Sequence, residues 1–250
     1  MKLNKFRAGA LWATLVLLLS APARLPAVDL FTAGHADVSI VINGSAFDFE
    51  YELAANAVLN GTPIGSPAVK APGDLITVVP DSSKAVGGVS GLPGAWANNT
   101  FWYLPQVSTT GVPFLGLGAE EIAAGQLVGD NLKFSFDSFV GRPAGGEFLM
   151  FQSGLTAPTV FINTADGVSG SEFINLAALS HNHYNWSFST PGTYQIRFKA
   201  EGTLATGNVP ITGFGTYNFQ IVPEPGTWAL GAVSIFTTML IGYRKRRQKA

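Results

Sequence analysis

Residues 47–53 of this 250-residue chain have the sequence Phe47-Asp48-Phe49-Glu50-Tyr51-Glu52-Leu53. Its apolar side chains alternate with carboxylates, and because successive side chains of a strand point to opposite faces, the stretch predicts a half-buried β-strand. The same period recurs in residues 132–139, 194–198 and 217–221, and turn residues such as Asn60-Gly61 separate the runs. Short strands divided by Gly and Pro turns predict an all-β fold, an antiparallel β-sandwich of the jelly-roll or immunoglobulin-like type.

Two segments depart from this strand pattern. Residues 61–99 are rich in Gly, Pro and Ser and are expected to form excursion loops, with one strand at residues 75–79. Residues 118–125 are expected to form a single helical turn near the edge of the sandwich. The carboxylates of residues 48–52 are interpreted as a solvated strand face, with calcium binding as the alternative.

Charge is distributed unevenly along the chain. Eight of the 15 Lys and Arg lie in the two end segments, whereas all 16 Asp and Glu lie between Arg24 and Glu224. That central part carries seven basic and 16 acidic side chains, a formal net charge of −9. The balance argues against nucleic acid and anionic lipid as partners and is compatible with divalent cations. The chain has no cysteine, so its stability depends on an apolar core and not on disulfides.

The N-terminal segment has the three parts of a secretory signal peptide. Lys2, Lys5 and Arg7 precede an apolar stretch at residues 8–19, and Ala21-Pro22-Ala23 supplies small residues at the spacing that signal peptidase recognises. We predict a signal peptide over residues 1–23. Cleavage after Ala27 and an uncleaved N-terminal anchor are the alternatives, and each of them predicts export.

The C-terminal segment predicts a membrane helix followed by a basic end. Residues 226–243 form an uncharged apolar run of a length that just crosses a bilayer, and Arg244-Lys245-Arg246-Arg247 predicts a cytoplasmic C-terminus. Pro223-Glu224-Pro225 stands directly before this run. In this order the three parts resemble the PEP-CTERM sorting signal of Gram-negative bacteria. The resemblance implies that an exosortase processes residues 223–250 and passes the exported domain, residues 28–222, to the cell surface or extracellular matrix.

The three histidines of the chain occur in two short motifs. His35 stands two residues before Asp37, and His181 stands two residues before His183. Residues i and i+2 of a strand share a face, so each pair is expected to point away from the bulky residues that take the core, and Asn185 and Ser187 are expected to share the face of His181 and His183. Three imidazoles and one carboxylate can complete a tetrahedral shell. We therefore predict a site for zinc or another divalent transition metal, with the ligands His35, Asp37, His181 and His183.

The role of this site is left open by the residues. Three His with a carboxylate would form a closed structural shell, whereas three His with a water molecule would form a catalytic site. The alternative interpretation is a solvated His181 and His183 pair on a strand face. A shared face within each motif does not by itself bring His35 beside the other two.

The histidine motifs also belong to a set of segments that together resemble a second known protein family. These segments are Gly34-His35-Ala36-Asp37-Val38, Leu115-Gly116-Leu117-Gly118-Ala119-Glu120-Glu121-Ile122, Gly145-Gly146-Glu147-Phe148, Asp166-Gly167, and His181-Asn182-His183-Tyr184-Asn185-Trp186-Ser187-Phe188-Ser189-Thr190-Pro191-Gly192-Thr193-Tyr194. Over residues 30–205 the chain resembles the choice-of-anchor M domain of bacterial surface proteins. That resemblance implies an exported β-rich domain with a C-terminal anchor, and the family has no assigned activity to carry over to this chain.

The remaining motifs bear on the class of function. We predict a non-enzymatic protein, because the chain lacks a Gly-x-Ser-x-Gly elbow, a P-loop, a His-Glu-x-x-His motif and a cysteine nucleophile. Trp96 and Trp102 stand in an aromatic cluster whose flat rings are candidates for stacking on sugars, with core packing as the alternative. The sequence thus predicts a structural or binding role in the envelope or extracellular matrix. A metal-binding module is the first alternative, a polysaccharide-binding module the second, and a hydrolase built on the histidines the third.

Overall fold

The alternating stretch at residues 47–53 lies in a strand, as expected. The computed structural model describes residues 28–222, and more than half of them lie in strands. The strands are β1 (Asp29–Asn43), β2 (Ala46–Leu53), β3 (Val58–Leu59), β4 (Thr62–Pro63), β5 (Ala68–Lys70), β6 (Leu75–Pro80), β7 (Lys84–Ala85), β8 (Phe101–Leu104), β9 (Pro113–Gly118), β10 (Asn131–Gly141), β11 (Phe148–Gln152), β12 (Thr159–Asn163), β13 (Phe173–Ala177), β14 (His181–His183), β15 (Asn185–Phe188), β16 (Gly192–Leu204) and β17 (Val209–Val222). Short 3₁₀ helices lie at Pro72–Asp74, Asp81–Ser83, Gly94–Ala97, Val128–Asp130 and Thr164–Asp166.

The long strand β1 takes part in two sheets. Its first part lies beside β6 in the first sheet, whose order is β13-β10-β16-β17-β6-β1 and which the β3–β4 hairpin extends. Its second part lies between β2 and β9 in the second sheet, whose order is β5-β2-β1-β9-β14. A third sheet has the order β12-β11-β15-β8-β7. β1 therefore joins the first two sheets, and side chains on its second part are in register with β2 and β9.

The first sheet forms one layer and is covered on its buried face by the other two sheets. Alternate residues of β16 and β17 are buried, as a half-buried strand requires. From the third sheet, the Phe188 ring lies 5.0 Å from that of Phe219. From the second sheet, the Tyr51 ring lies 4.8 Å from that of Tyr217. The result is a sandwich-like arrangement in which residues of all three sheets share one apolar core.

The expectation of a purely antiparallel sandwich is wrong in one respect, because the sheets are mixed. Most neighbouring strands within residues 28–222 run antiparallel, but β1 is parallel to β6 and to β9, and β17 is parallel to β6. Parallel neighbours need long crossover connections. The chain between β1 and β6 includes β2 to β5, and the chain between β6 and β17 includes β7 to β16. The strand predicted at residues 75–79 is β6.

The segment at residues 118–125 also differs from the prediction. It forms a tight turn, in which the Ile122 amide donates to the Ala119 carbonyl at 3.2 Å, and not a helical turn. The predicted signal peptide and the predicted sorting signal lie outside the described residues. Within residues 28–222 no helix has the length and apolar character needed to cross a membrane.

Candidate metal centre

Three neighbouring strands of the second sheet place the predicted ligands in register. His35 and Asp37 lie on β1, where Asp37 is paired with Gly116 of β9. On the other side of β9, His183 of β14 is paired with the same Gly116, and His181 is paired with Gly118. Asp37, Gly116 and His183 therefore form one row across the sheet.

The glycines of β9 explain how side chains two strands apart come together. Strands β1 and β14 are separated by about two strand spacings, roughly 10 Å. Gly116 and Gly118 carry no side chain into this gap. A Cβ atom at Gly116 would collide with Asp37 Oδ1 and would lie 3.2 Å from His183 Nε2. The side chains of β1 and β14 thus meet directly above the backbone of β9.

The backbone just before His35 is also specialised. Gly34 has a φ of +83°, in the left-handed region that favours glycine, and a Cβ there would overlap the Asn56 carbonyl. The Asn56 side chain accepts a hydrogen bond from the His35 amide at 3.2 Å. This is the point where β1 passes from the first sheet to the second, so Gly34 allows the change of sheet and Asn56 fixes the start of the ligand-bearing part.

The predicted ligand atoms lie at distances suited to a shared ion. His35 Nε2 is 3.1 Å from His183 Nε2 and 3.4 Å from Asp37 Oδ1. One donor atom from each of His35, Asp37, His181 and His183 lies within 4.8 Å of the others. In a tetrahedral shell with zinc–ligand bonds of about 2.0–2.1 Å, ligand atoms are about 3.3–3.4 Å apart. The geometry therefore brings together all four residues that the sequence predicted.

Asp37 is the buried member of the set. Its side chain is 8% exposed, whereas that of His35 is 26% exposed. Apart from the long contact with His35, Asp37 Oδ1 has no hydrogen-bond partner among residues 28–222. A buried carboxylate oxygen without donors costs free energy unless a cation lies beside it. Asp37 Oδ1 thus has the free coordination capacity that a metal ligand needs.

The two close imidazoles have pKa values displaced in opposite directions. The Asp37 carboxylate raises the pKa of His35, although burial acts the other way. Burial, assisted by the neighbouring His35 and His181 and opposed by Asp37, lowers the pKa of His183 to about 4. His183 is therefore neutral near pH 7, which is the form that coordinates a metal.

Side chains around the cluster orient the imidazoles. Glu120 Oε1 lies 2.9 Å from His181 Nδ1, which places the ring proton on Nδ1 and leaves Nε2 as the acceptor nitrogen. The Phe114 ring stacks on His183 with centroids 3.9 Å apart and planes at 2°. Sequence reasoning missed Glu120, because it assigned that residue to a helical turn. Glu120 could have been predicted from the rule that a ligating histidine needs a hydrogen-bond partner, which is often a carboxylate.

One expectation about the second histidine motif is wrong. Asn185 and Ser187 were expected to share the polar face of His181 and His183, but both are buried. The chain changes sheets between β14 and β15, so the two-residue period is interrupted there. Asn185 is held inside by bonds that include one from the Gln106 amide at 3.0 Å.

The glycan-stacking prediction for Trp96 is also wrong. Trp96 is 3% exposed, belongs to a small apolar cluster, and donates through Nε1 to Asn163 Oδ1 at 3.0 Å. Its faces are therefore not available to a sugar ring. Trp102 is partly buried against the main core and donates to Asp81 Oδ1 at 2.9 Å.

The residues predicted to form the sorting signal, Pro223, Glu224, Pro225, Arg244, Lys245, Arg246 and Arg247, lie outside the described part of the chain. Comparisons with known proteins do not add a family to this geometry. No protein-family model matches the chain, and no curated protein or solved structure resembles it significantly.

Proposed function

We propose that this protein binds one divalent transition-metal ion, zinc in the first place, through His35, Asp37, His181 and His183. The observation that carries the proposal is the meeting of four donor atoms within 4.8 Å across three strands. Imidazole nitrogens favour zinc, copper, nickel and iron over calcium and magnesium, which prefer oxygen ligands. The donor set thus defines the class of metal.

The number of donors favours a structural or binding role. Three imidazoles and one carboxylate fill the four positions of tetrahedral zinc, whereas catalytic zinc sites keep one position for water or substrate. The ion would connect β1 with β14 across β9, and so join segments that are far apart in the chain. That the protein is not an enzyme stays a prediction.

We further propose that the metal-binding domain is exported and acts at the cell surface or in the extracellular matrix. The support is in the sequence: a signal peptide at residues 1–23, the PEP-CTERM-like segment at residues 223–250, and the resemblance to the choice-of-anchor M domain. Deleting Pro223-Glu224-Pro225 is expected to leave the protein in the inner membrane. Surface display that persisted after this deletion would refute the sorting proposal.

Elemental analysis of the purified, untagged chain tests the metal proposal. After incubation with zinc and removal of the excess, the wild-type chain is expected to hold close to one ion per molecule. The double variant His181→Ala/His183→Ala is expected to hold none. Asn182→Ala is the matched control, because Asn182 lies between these histidines on β14, points to the other face and is exposed. Equal metal content in all three proteins would contradict the assigned ligands.

A further inference from the structure

A cleft of about 890 Å³ opens directly beside the candidate metal centre. It lies along β2, which is the neighbour of β1 on the side away from β9, and it reaches the turn that follows β9. His35 and Asp37 are part of its lining. The cleft therefore borders two of the four proposed ligands.

The cleft is acidic. Its lining includes the carboxylates of Glu50, Glu52 and Glu121 in addition to Asp37, and among the described residues no lysine or arginine lines it. Glu50 and Glu52 lie on the same strand with side chains on one face, and Glu52 is paired across the sheet with Asp37. The acidic strand face that the sequence analysis interpreted as solvated thus forms the wall of a cavity next to the metal ligands.

The carboxylates influence one another across this cavity. Burial first, and then the charges of Glu52, Asp48 and Glu121, raise the pKa of Glu50. Burial also raises the pKa of Glu52, and a hydrogen bond from Ser39 Oγ at 2.8 Å opposes the rise. Glu121 therefore acts electrostatically on both residues, and the three side chains make one region of negative potential.

Negative charge alone does not identify a ligand, but the cleft has a second feature that points to a cation. Asp37 is one of its lining residues, and Asp37 Oδ1 is buried and has no hydrogen-bond partner among residues 28–222 apart from the long contact of 3.4 Å with His35 Nε2. Clefts lined by one sign of charge focus the field and raise the local concentration of oppositely charged solutes. A cation drawn into this cleft would approach the carboxylate of Asp37 and the imidazole of His35.

We propose that the acidic cleft is the entry route by which the metal ion reaches its ligands, and that Glu50, Glu52 and Glu121 set the rate of capture. This inference rests on the proposed metal site. These three glutamates are not ligands in the proposal: they attract the hydrated cation and exclude anionic chelates, and the four ligands then bind the ion.

The test compares association kinetics of Zn²⁺ with the metal-free, untagged full-length chain in stopped flow. The triple variant Glu50→Gln/Glu52→Gln/Glu121→Gln is expected to bind zinc about tenfold more slowly than wild type at low ionic strength, a difference that shrinks in high salt. The control variant Asp74→Asn/Asp166→Asn/Glu201→Gln removes the same charge from positions outside the cleft lining and is expected to bind at nearly the wild-type rate.

Two further measurements, the dissociation rate and the absorption spectrum of the Co²⁺-loaded protein, make the outcome decisive. Both are expected to be the same in the triple variant and wild type, which shows that the ligand shell is intact. Equal association rates in the triple variant and wild type, with one ion bound to each, would overturn the entry route and leave the metal site standing. A wild-type chain that binds no ion would overturn the metal site and the entry route together.

Discussion

His35 and His183 are 148 residues apart in the chain, and their Nε2 atoms lie 3.1 Å apart. The two rings meet because β1 and β14 lie on either side of β9, whose glycines leave the space between them open. Two imidazole nitrogens at this distance either share one proton or direct their lone pairs at one ion. Asp37 Oδ1, which has only a long contact of 3.4 Å with His35 Nε2, and the third imidazole of His181 favour the ion.

Gly116 is expected to be essential for the cluster although it contributes no ligand. In Gly116→Ala the added methyl group would collide with Asp37 Oδ1, so we expect zinc affinity to fall by about tenfold or more, or about 1.4 kcal/mol. Gly118→Ala is the matched control, because its Cβ would lie in ordinary contact, 3.4 Å from His181 Cβ. Competition with a zinc-binding dye measures the zinc affinity of both variants. Equal loss of affinity in the two variants would contradict the proposed role of Gly116.

Glu120 is expected to act on the metal through His181. Glu120→Gln weakens the hydrogen bond that fixes the ring tautomer, and such outer-shell changes lower metal affinity by about 10- to 100-fold. Nitrogen NMR of the imidazoles should show His181 losing its single tautomer in the metal-free variant. Glu121→Gln removes the same charge one residue away and should keep the tautomer, so a tautomer that did not change in Glu120→Gln would refute the assignment.

Metal affinity is expected to fall in acid in two stages. Asp37 raises the pKa of His35, so His35 takes up a proton before His183 does as the pH falls, and this proton is the first to compete with the metal. His183, with its pKa lowered to about 4, stays neutral until the pH is much lower. Zinc titrations from neutral pH down to about 4 should therefore show weakening that becomes steeper at the acid end. Constant affinity over this range would contradict imidazole ligation.

The metal-free protein is expected to lose stability as the pH falls from 6.5 to about 4, because of His183. In that window the His183 imidazole is neutral in the folded state and protonated in the unfolded state, so the unfolded state binds more protons and falling pH favours unfolding. Thermal unfolding of the metal-free chain across these pH values measures the effect. His183→Gln should flatten the dependence, and an unchanged slope in this variant would show that other groups cause it.

Trp186 is expected to connect the third sheet to the metal-bearing sheet. It is fully buried on β15 and donates to the Leu115 carbonyl of β9 at 3.1 Å. Trp186→Ala should lower the free energy of unfolding by about 3–5 kcal/mol. Phe214→Ala, at a half-exposed position, should change it by only about 0.5 kcal/mol. Urea unfolding followed by circular dichroism measures the free energy of unfolding of both variants. Similar losses in the two variants would contradict the role of Trp186 in packing.

Local periodicity was enough to predict much of the fold. The alternation in residues 47–53 and in the two long C-terminal runs corresponds to β2, β16 and β17. The period of two also placed His35 with Asp37 and His181 with His183 correctly, because it depends only on strand geometry. Local periodicity could not predict which distant strands pair. The parallel neighbours of β1, for example, depend on contacts between segments that are far apart in the chain.

The errors in the site share a physical cause. Asn185 follows His183 by two residues, yet the change of sheet after β14 turns its side chain inward. Trp96 stands in a Gly-rich segment that looks exposed in sequence, yet its Nε1 finds a partner in Asn163, which lies 67 residues away. In both cases tertiary packing overrides a local pattern. Glu120 was missed for the related reason that its partner, His181, is 61 residues away.

X-ray absorption at the zinc edge of the loaded, untagged chain is the most direct test of the metal centre. We expect a first shell of four nitrogen and oxygen ligands at about 2.0–2.1 Å, with the outer-shell scattering of three imidazoles. In the His181→Ala/His183→Ala variant that imidazole scattering should be lost together with the bound zinc. A wild-type spectrum of hydrated zinc with no imidazole scattering would contradict the metal centre, and the three histidines would then be only a hydrogen-bonded strand surface.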